Sequence, residues 1–483
     1  MAADFADREE LRDQRLPSAD AATELANARE VLAADGNRIL YNDSIGRFMW
    51  FDGWRWVADV EGNVSQAVKR AALTTKRRLD AAGLNPSDVS RHVRRMQSAA
   101  GVRGVMELIR TEPGVTKTAD DFDRDPMLLN TPGTTLNLAT DAEYTNDPKD
   151  LITHVTADIC GSHKRCTLWL DFLDKAMEGD AEMIAYLQRL AGLALTGRID
   201  VQEFPVLWGE GGTGKTTFFE AIMGAMGTYA AVGTDNLLIQ KPSSDHPAEL
   251  AGLRGKRLVV VNETDENARL KIQTVKRLTG DSTVKARVMR GDPFEFRRTF
   301  KPWLVTNNKP VINENSEAIW RRVRLIPFTM KLADAAKDAT LPERLKKEYA
   351  NILAWAVKGC QAWLERGMSP PSKVLVATST YRDNSDTFSD VVERCFVIGD
   401  VGKVKVSRRD SYAAYLADAS SMAVKWPLSD RALFERLRAL PGVSEDEWKD
   451  HGQKIRGFRG IGLLHPSASR PAPLPDPELE AAL

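Results

Sequence analysis

Apolar positions change period several times along the 483-residue chain. A helix-period stretch over Thr23–Ala34 gives way to short strand-like runs at Arg38–Tyr41 and Arg47–Phe51. In the aromatic segment Phe51–Val57, Trp54 and Trp56 alternate with polar neighbours. That alternation predicts a hairpin burying its indoles, with a base-stacking platform as the alternative. Val64–Arg110 is helical in pattern, and Glu112–Lys149, rich in Pro, Gly and Asp, reads as loops with short strands. Amphipathic helices follow at Leu168–Ala176 and Ala181–Leu195. Three solidly apolar runs, Phe204–Trp208, Leu258–Val261 and Trp303–Thr306, read as buried strands. Helical pattern returns over Lys331–Trp363, Met368–Ser372 reads as a linker, and Val374–Leu464 forms a compact mixed segment. Residues 1–22 and 466–483 lack apolar periodicity and are expected to be disordered.

Length and charge add bounds to this pattern. A chain of this size exceeds what one core supports, so two or three domains are expected. With 67 basic and 67 acidic residues the net charge is zero, and nucleic-acid binding would have to come from local clusters. One such cluster is Val64–Arg110, with ten Lys or Arg against three Asp or Glu. A solvated helix face and a nucleic-acid-tracking face are both open there, with Arg91, Arg94 and Arg95 on one side of a helix. No apolar run approaches a membrane span, and the charged amino-terminal segment is unlike a signal peptide, so a cytoplasmic protein is expected. Cys160, Cys166, Cys360 and Cys395 are expected to be free thiols.

The chemistry concentrates behind the three apolar runs. After Phe204–Trp208 comes Gly209-Glu210-Gly211-Gly212-Thr213-Gly214-Lys215-Thr216-Thr217, a P-loop sequence. Its glycines let backbone N–H groups approach phosphate oxygens, Lys215 neutralises the terminal phosphates, and the Thr216 hydroxyl can hold magnesium. ATP and Mg2+ are therefore the expected cofactors. Glu263, the first carboxylate after Leu258–Val261, has the position of a catalytic base and a magnesium contact through water, with Asp265 and Glu266 as fallbacks. Asn307 and Asn308 close the third run, where an amide can meet the γ-phosphate or the lytic water. Arg321, Arg322 and Arg324 follow, and an arginine donated across a subunit boundary can stabilise transferred phosphoryl charge. Between the second and third runs, Val284–Lys301 alternates like a hairpin and carries six basic residues.

These elements, in this order, resemble the superfamily 3 helicases, and specifically the helicase half of the phage and plasmid primase-helicase family related to the poxvirus primase-helicase. The segments NDSIGRFMWFDGWRW, FDRDPMLLNTPGTTLNL, YLQRLAGLALTGR, VKRLTGD, TNNKP and AIWRRVRLIPF carry the likeness. It implies an α/β P-loop NTPase with an AAA+-like core and central parallel sheet, an α+β accessory domain before it and a winged-helix domain after it. The expected divisions are 23–180 (accessory), 181–335 (ATPase), 336–372 (helical connector) and 373–465 (winged helix). By position, the resemblance makes Lys215 and Thr216 phosphate and magnesium contacts, Glu263 the catalytic carboxylate and Asn307 the sensor. Arg321 or Arg322 becomes the arginine finger, and Lys285, Arg287 and Arg290 become DNA contacts.

Departures from the family pattern include Asn262 before Glu263, where paired acids are common, and Glu314 and Ser316 before the arginines. The implied protein is a homo-oligomer, a hexamer in this family, that hydrolyses ATP between subunits and unwinds DNA in phage or mobile-element replication. An ATP-dependent origin-binding or loader protein is the alternative. About 180 residues precede the ATPase region, so priming is expected from a separate primase or polymerase. Lys403, Lys405, Arg408, Arg409, Lys454, Arg456 and Arg459 would give the winged helix a basic wing.

Overall fold

In the computed structural model of the chain, Thr23 starts the first helix. Its hydroxyl accepts the Ala26 N–H at 3.1 Å, which satisfies one orphan donor of α1 (Glu24–Asp35). The structure describes residues 23–464 except 163–165, 242–246, 264, 266–267, 288–291, 313–315, 332–337, 339, 386–387, 401–402, 423–426 and 451–452. The expected disordered ends therefore lie outside the described residues, as do Arg290, Glu266 and Glu314.

Strands β1 (Ile39–Asn42), β2 (Arg47–Phe51) and β3 (Trp56–Ala58) lie beside three helices: α2 (Asn63–Ala81), α3 (Pro86–Gln97) and α4 (Ala99–Thr111). With β4 (Thr116–Lys117) the strands form a sheet of order β3-β2-β1-β4. Val31, Ile39, Trp50, Val68, Val105 and Ile109 fill the space between helices and sheet. The expectation of buried indoles holds for Trp56, 2% exposed with its N–H donated to the Pro148 carbonyl, but not for Trp54, which is 48% exposed. A meander, β5 (Leu128–Thr131), β6 (Thr134–Asn137) and β7 (Ala142–Thr145), leads to α5 (Thr167–Ala176) and α6 (Ala181–Leu195).

The central sheet is built from β8 (Phe204–Trp208), β9 (Ala230–Gly233), β10 (Leu258–Glu263), β13 (Lys301–Thr306) and β14 (Val323–Pro327). Its order is β14-β8-β13-β10-β9, and every neighbouring pair is parallel. Around it run α7 (Lys215–Met226), α8 (Pro247–Ala251), α9 (Ile272–Gly280), the hairpin β11 (Thr283–Arg287) and β12 (Pro293–Arg297), α10 (Glu317–Trp320), α11 (Leu341–Lys346) and α12 (Tyr349–Arg366). Both faces of the sheet are covered, which explains the unbroken apolar runs. Leu207, Val260, Val305 and Ile326 face the core of α6, α7 and α12, while Val206, Val259, Leu304 and Leu325 face that of α9, α10 and the hairpin.

Residues expected to connect domains belong to this core. Helix α12 crosses α6 at two glycines: a Cβ on Gly192 would stand 2.0 Å from the Cys360 nitrogen, and one on Gly359 1.9 Å from the Gln188 carbonyl oxygen. The segment Met368–Ser372, expected as a linker, is pinned by buried Arg189, whose guanidinium donates to the Met368 and Ser369 carbonyls at 2.9 and 3.0 Å. Helix α13 (Ser372–Ser385) then buries Val374, Thr378 and Tyr381, and the Thr378 hydroxyl accepts the Leu325 N–H at 2.9 Å. The chain divides into two compact units after Tyr381.

The second unit comprises α14 (Phe388–Cys395), β15 (Phe396–Ile398), β16 (Lys405–Ser407), α15 (Arg408–Ser421), α16 (Asp430–Arg438), β17 (Ser444–Asp450), β18 (Gln453–Arg459) and β19 (Ile461–Leu463). Val392, Phe396, Val406, Tyr415, Leu433, Leu437 and Phe458 form its core. The four cysteines are free, and no helix among the described residues is long and apolar enough to cross a membrane.

The α6–α12 crossing makes a clear prediction. Gly359→Val forces the two backbones apart and should lower the stability of the first unit by about 1–3 kcal/mol or more, seen as a lower melting midpoint. An unchanged midpoint contradicts the packing described.

Candidate nucleotide site

Strand β8 delivers the chain into the glycine-rich loop, and its glycines serve different needs. Gly212 and Gly214 have φ of +81° and +89°, a region that side chains disfavour. At Gly209 a Cβ would stand 1.9 Å from the Phe328 carbonyl oxygen. Lys215 opens α7 with only 5% of its surface exposed. Its ammonium lies inside the loop, donating to the Gly209 and Glu210 carbonyls at 2.5 and 2.8 Å and to the Thr213 hydroxyl at 3.3 Å. Burial lowers its pKa. A phosphate would replace neutral acceptors with charged ones, which bind an ammonium about twice as strongly. Thr216 is exposed in the first turn of α7, and Thr217 is half-buried. At the rim, Lys331 pairs with Glu210 and holds its carboxyl below the usual range.

Parallel register brings the other two strand ends to the same edge. Trp208 is level with Thr306, and Thr306 with Glu263. At about 4.8 Å per strand, Glu263 is roughly 10 Å from the foot of the loop. Asn307 follows between them, half-buried. Glu263 is the last residue of β10 rather than the first after the strand, and it is 3% exposed. Its Oε1 accepts the Asp265 N–H at 2.7 Å, and its Oε2 lies 3.3 Å from the Lys241 ammonium. Lys241 also contacts Asp265 and Asp235 at 2.5 and 3.0 Å, and these partners, Asp265 foremost, raise its pKa.

Sequence reasoning missed Lys241, which is separated from Glu263 by chain and joined to it only by folding. It also passed over Lys309, two residues after Asn307, whose ammonium sits 4.2 Å over the Trp208 ring. Burial lowers its pKa. The run Asn307-Asn308-Lys309 was the available signal for that residue.

Arg321 and Arg322 lie elsewhere. Val323 is level with Phe204 and Pro327 with Trp208, so both arginines precede the opposite edge of the sheet, about 20 Å from the loop at strand rise. Neither reaches a phosphate held on its own loop. The two also differ from each other. Arg322 is 7% exposed, with Nε on the Thr279 hydroxyl at 3.0 Å, Nη2 on Gln202 Oε1 at 3.0 Å and Nη1 on the Ala318 carbonyl at 2.5 Å. Arg321 is exposed. Arg324 pairs with Glu203 at 2.9 Å. Beside Arg322 opens a cavity of about 590 Å³ lined by Gln202, Lys276, Arg277 and Asp281.

The hairpin alternates as expected. Val284, Ala286 and Phe296 are buried, while Lys285 and Arg287 are exposed on the opposite face. Lys285 is level with Glu295, so one carboxylate tempers that face.

The two arginines yield a prediction on stability. Arg322→Ala removes three hydrogen bonds, one of them to the buried Thr279 hydroxyl, and should cost about 1–3 kcal/mol, whereas Arg321→Ala should change stability by no more than about 0.5 kcal/mol. Chemical denaturation of both variants measures the difference, and equal losses would contradict these contacts.

Residues 28–178 match the family model described as D5 N terminal like, and residues 207–322 match a family of unknown function, DUF5906. Among curated proteins, the chain is 28% identical over 257 residues to "Putative helicase L207/L206" of Acanthamoeba polyphaga mimivirus, covering 49% of this chain and 27% of that protein. It is 30% identical over 234 residues to "Putative helicase 022R" of Frog virus 3, covering 43% and 23%. The chain thus spans about a quarter of the length of these relatives. Among solved structures, the A form apo structure of the NrS-1 C terminal region has a TM-score of 0.47 at 12% identity, covering 89% of this chain and 98% of that one.

Fold and relatives together define a class: a mixed α/β protein, with a parallel sheet, similar to viral proteins that bear the name "Putative helicase". More narrowly, residues 28–178 match the D5 N terminal-like family model, in agreement with the likeness to the primase-helicase family drawn from its motifs.

Proposed function

We propose that this chain is an ATP-dependent DNA helicase of the superfamily 3 type, acting as a ring with ATP between subunits. One observation carries the reading: Lys215, Glu263 and Asn307 share one edge of the parallel sheet, while Arg321 stands at the other. Parallel-sheet nucleotide enzymes gather their chemistry at the carboxyl ends of strands. An arginine about 20 Å away serves that chemistry only if a second subunit supplies it. The cavity beside Arg322, with Lys276 and Arg277 on its wall, gives that edge the charge an incoming triphosphate needs.

In this reading the loop N–H groups and Lys215 hold the β- and γ-phosphates. Glu263, once its carboxylate turns from Lys241, orients the attacking water and takes its proton. Asn307 aligns that water against the γ-phosphate, and the neighbouring subunit's copy of Arg321 stabilises the charge on the transferred group. Thr216, and Glu263 through water, present oxygen donors suited to magnesium. Bound there, Mg2+ neutralises phosphate charge. Lys285, Arg287 and Arg290 would contact the DNA backbone. The second unit, with α15 and α16 packed on a β-ribbon, would act as a winged helix. DNA, a homo-oligomer and a separate primase or polymerase are its proposed partners.

ATP turnover and separation of forked DNA test this together. Lys215→Ala should abolish turnover, and Glu263→Gln should reduce kcat by about 10²–10⁴ with little change in KM. Arg321→Ala should also be impaired, yet mixing it with Lys215→Ala should restore part of the activity, because some mixed boundaries regain both groups. Full turnover by Lys215→Ala would sink the site. Hydrolysis without strand separation on either tail polarity would instead favour an ATP-dependent loader or origin-binding protein.

A further inference from the structure

Charge in this chain balances overall but not locally. From Val64 to Arg110 ten Lys or Arg stand against three Asp or Glu, while the whole chain carries 67 of each. Nine of the ten, all but Arg110, are exposed. Helix α2 turns Val64, Val68, Ala72 and Leu79 inward and leaves Lys69, Arg70, Lys76 and Arg77 outside. Helix α3 buries Val89, Val93 and Met96 and exposes Arg91, Arg94 and Arg95.

Ion pairs temper this surface without cancelling it. Carboxylates of α1 reach its edge, joining Arg70 to Asp35, Arg78 to Glu30 and Arg95 to Glu24 at 2.9, 3.5 and 3.1 Å. Lys76–Asp80 and Arg91–Asp88 are local pairs at 2.6 and 3.2 Å. Solvent-facing pairs of this kind are weak and screened by salt. Among the described residues no ion pair engages Lys69, Arg77 or Arg94.

The two helices share one field. His92 of α3 lies 3.3 Å from the Asn27 side chain of α1. Its pKa is lowered first by burial, then by Arg95 of its own helix and Arg78 of α2, against the pull of Glu24. Arg95 of α3 and Arg78 of α2 thus act on the same ring where α1, α2 and α3 meet. Like charges at helical spacing, Arg91 with Arg94 and Arg95, carry a repulsive cost in the helix. A bound polyanion removes that cost.

We propose that the exposed faces of α2 and α3 form a second nucleic-acid surface, which grips the phosphate backbone without reading sequence. It rests on the reading that this chain acts on DNA and adds a site remote in sequence from the hairpin. Composition favours phosphate as the ligand, since eight of the ten cations are arginine, whose planar fork matches phosphate oxygens. Protein interfaces centre on apolar or aromatic anchors, and here the face offers only Leu73 among exposed large hydrophobic residues. Lys69 and Arg77 span about 12 Å along α2, enough to follow several phosphates.

The test uses the full chain and fluorescence anisotropy of labelled DNA, with duplex and single-stranded arms, over a series of salt concentrations. The variant combines Arg77→Gln, Arg91→Gln and Arg94→Gln, none of which is in the nucleotide site. Its affinity should fall at least tenfold near 0.1 M salt, and the slope of log K against log salt should become shallower by about 2–3. ATP turnover without DNA should stay within twofold and the melting midpoint should hold. Should the triple variant misfold, Lys69→Gln with Arg77→Gln on α2 alone is expected to show a slope change of about 1–2.

Wild-type affinity and slope in a folded variant overturn the proposal, and so would a wild-type chain that binds neither DNA form. Wild-type DNA binding that depends on these arginines but never leads to unwinding would instead refute the helicase reading and leave this surface standing.

Discussion

Parallel register in one five-stranded sheet is the constraint on which the rest of this structure depends. Because β8, β13 and β10 run the same way and end level, the glycine loop, Asn307 and Glu263 emerge at one edge without any long-range adjustment. The same register sends Arg321 to the other edge. A single chain therefore holds two unlike margins, one with the glycine loop and one with exposed guanidinium.

Holding that sheet requires cover on both faces, and the accessory segment is part of the cover. Buried Arg257, at the entry to β10, donates to the Leu195 carbonyl at 2.5 Å and also to the Leu128 carbonyl, tying α6 and β5 to the sheet. Lys301, fully inside, donates to the Arg198 carbonyl at 3.2 Å and also to that of Thr196, and burial holds its pKa well below the ordinary lysine value. Buried cations bonded to carbonyls replace the solvent they lost. The glycine crossing of α6 and α12 works by different means, since close backbone approach gains contact area that no side chain could fill.

The second unit shows how a composition can mislead. Its expected basic wing contains Lys454, Arg456 and Arg459, yet the neighbouring strand β17 reads Ser-Glu-Asp-Glu-Trp-Lys-Asp. Lys454 and Arg456 pair with Glu447, Arg459 with Asp446, and Arg408 and Arg438 with Glu445. Lys405 lies over the Trp448 ring, and Arg409 remains exposed. The hairpin thus neutralises much of its own charge. In α2 and α3 no comparable acidic strand lies alongside.

Local pattern determined much of this protein. Unbroken apolar runs announced strands covered on both faces, glycine spacing announced the loop, and Glu263 and Asn307 were legible because each follows a buried run. Those features depend on neighbours within a few residues, so the chain alone carries them. The tertiary structure decided what depends on distant partners. It showed that Arg322 is spent on Thr279, Gln202 and Ala318 while Arg321 stays outside, and that Lys241 meets Glu263. It turned an expected linker into a segment pinned by Arg189, and it neutralised the wing. Hydrophobic period records which face of an element is buried, but charge pairing and helix crossing are set by which elements meet, and that follows only from the folded chain.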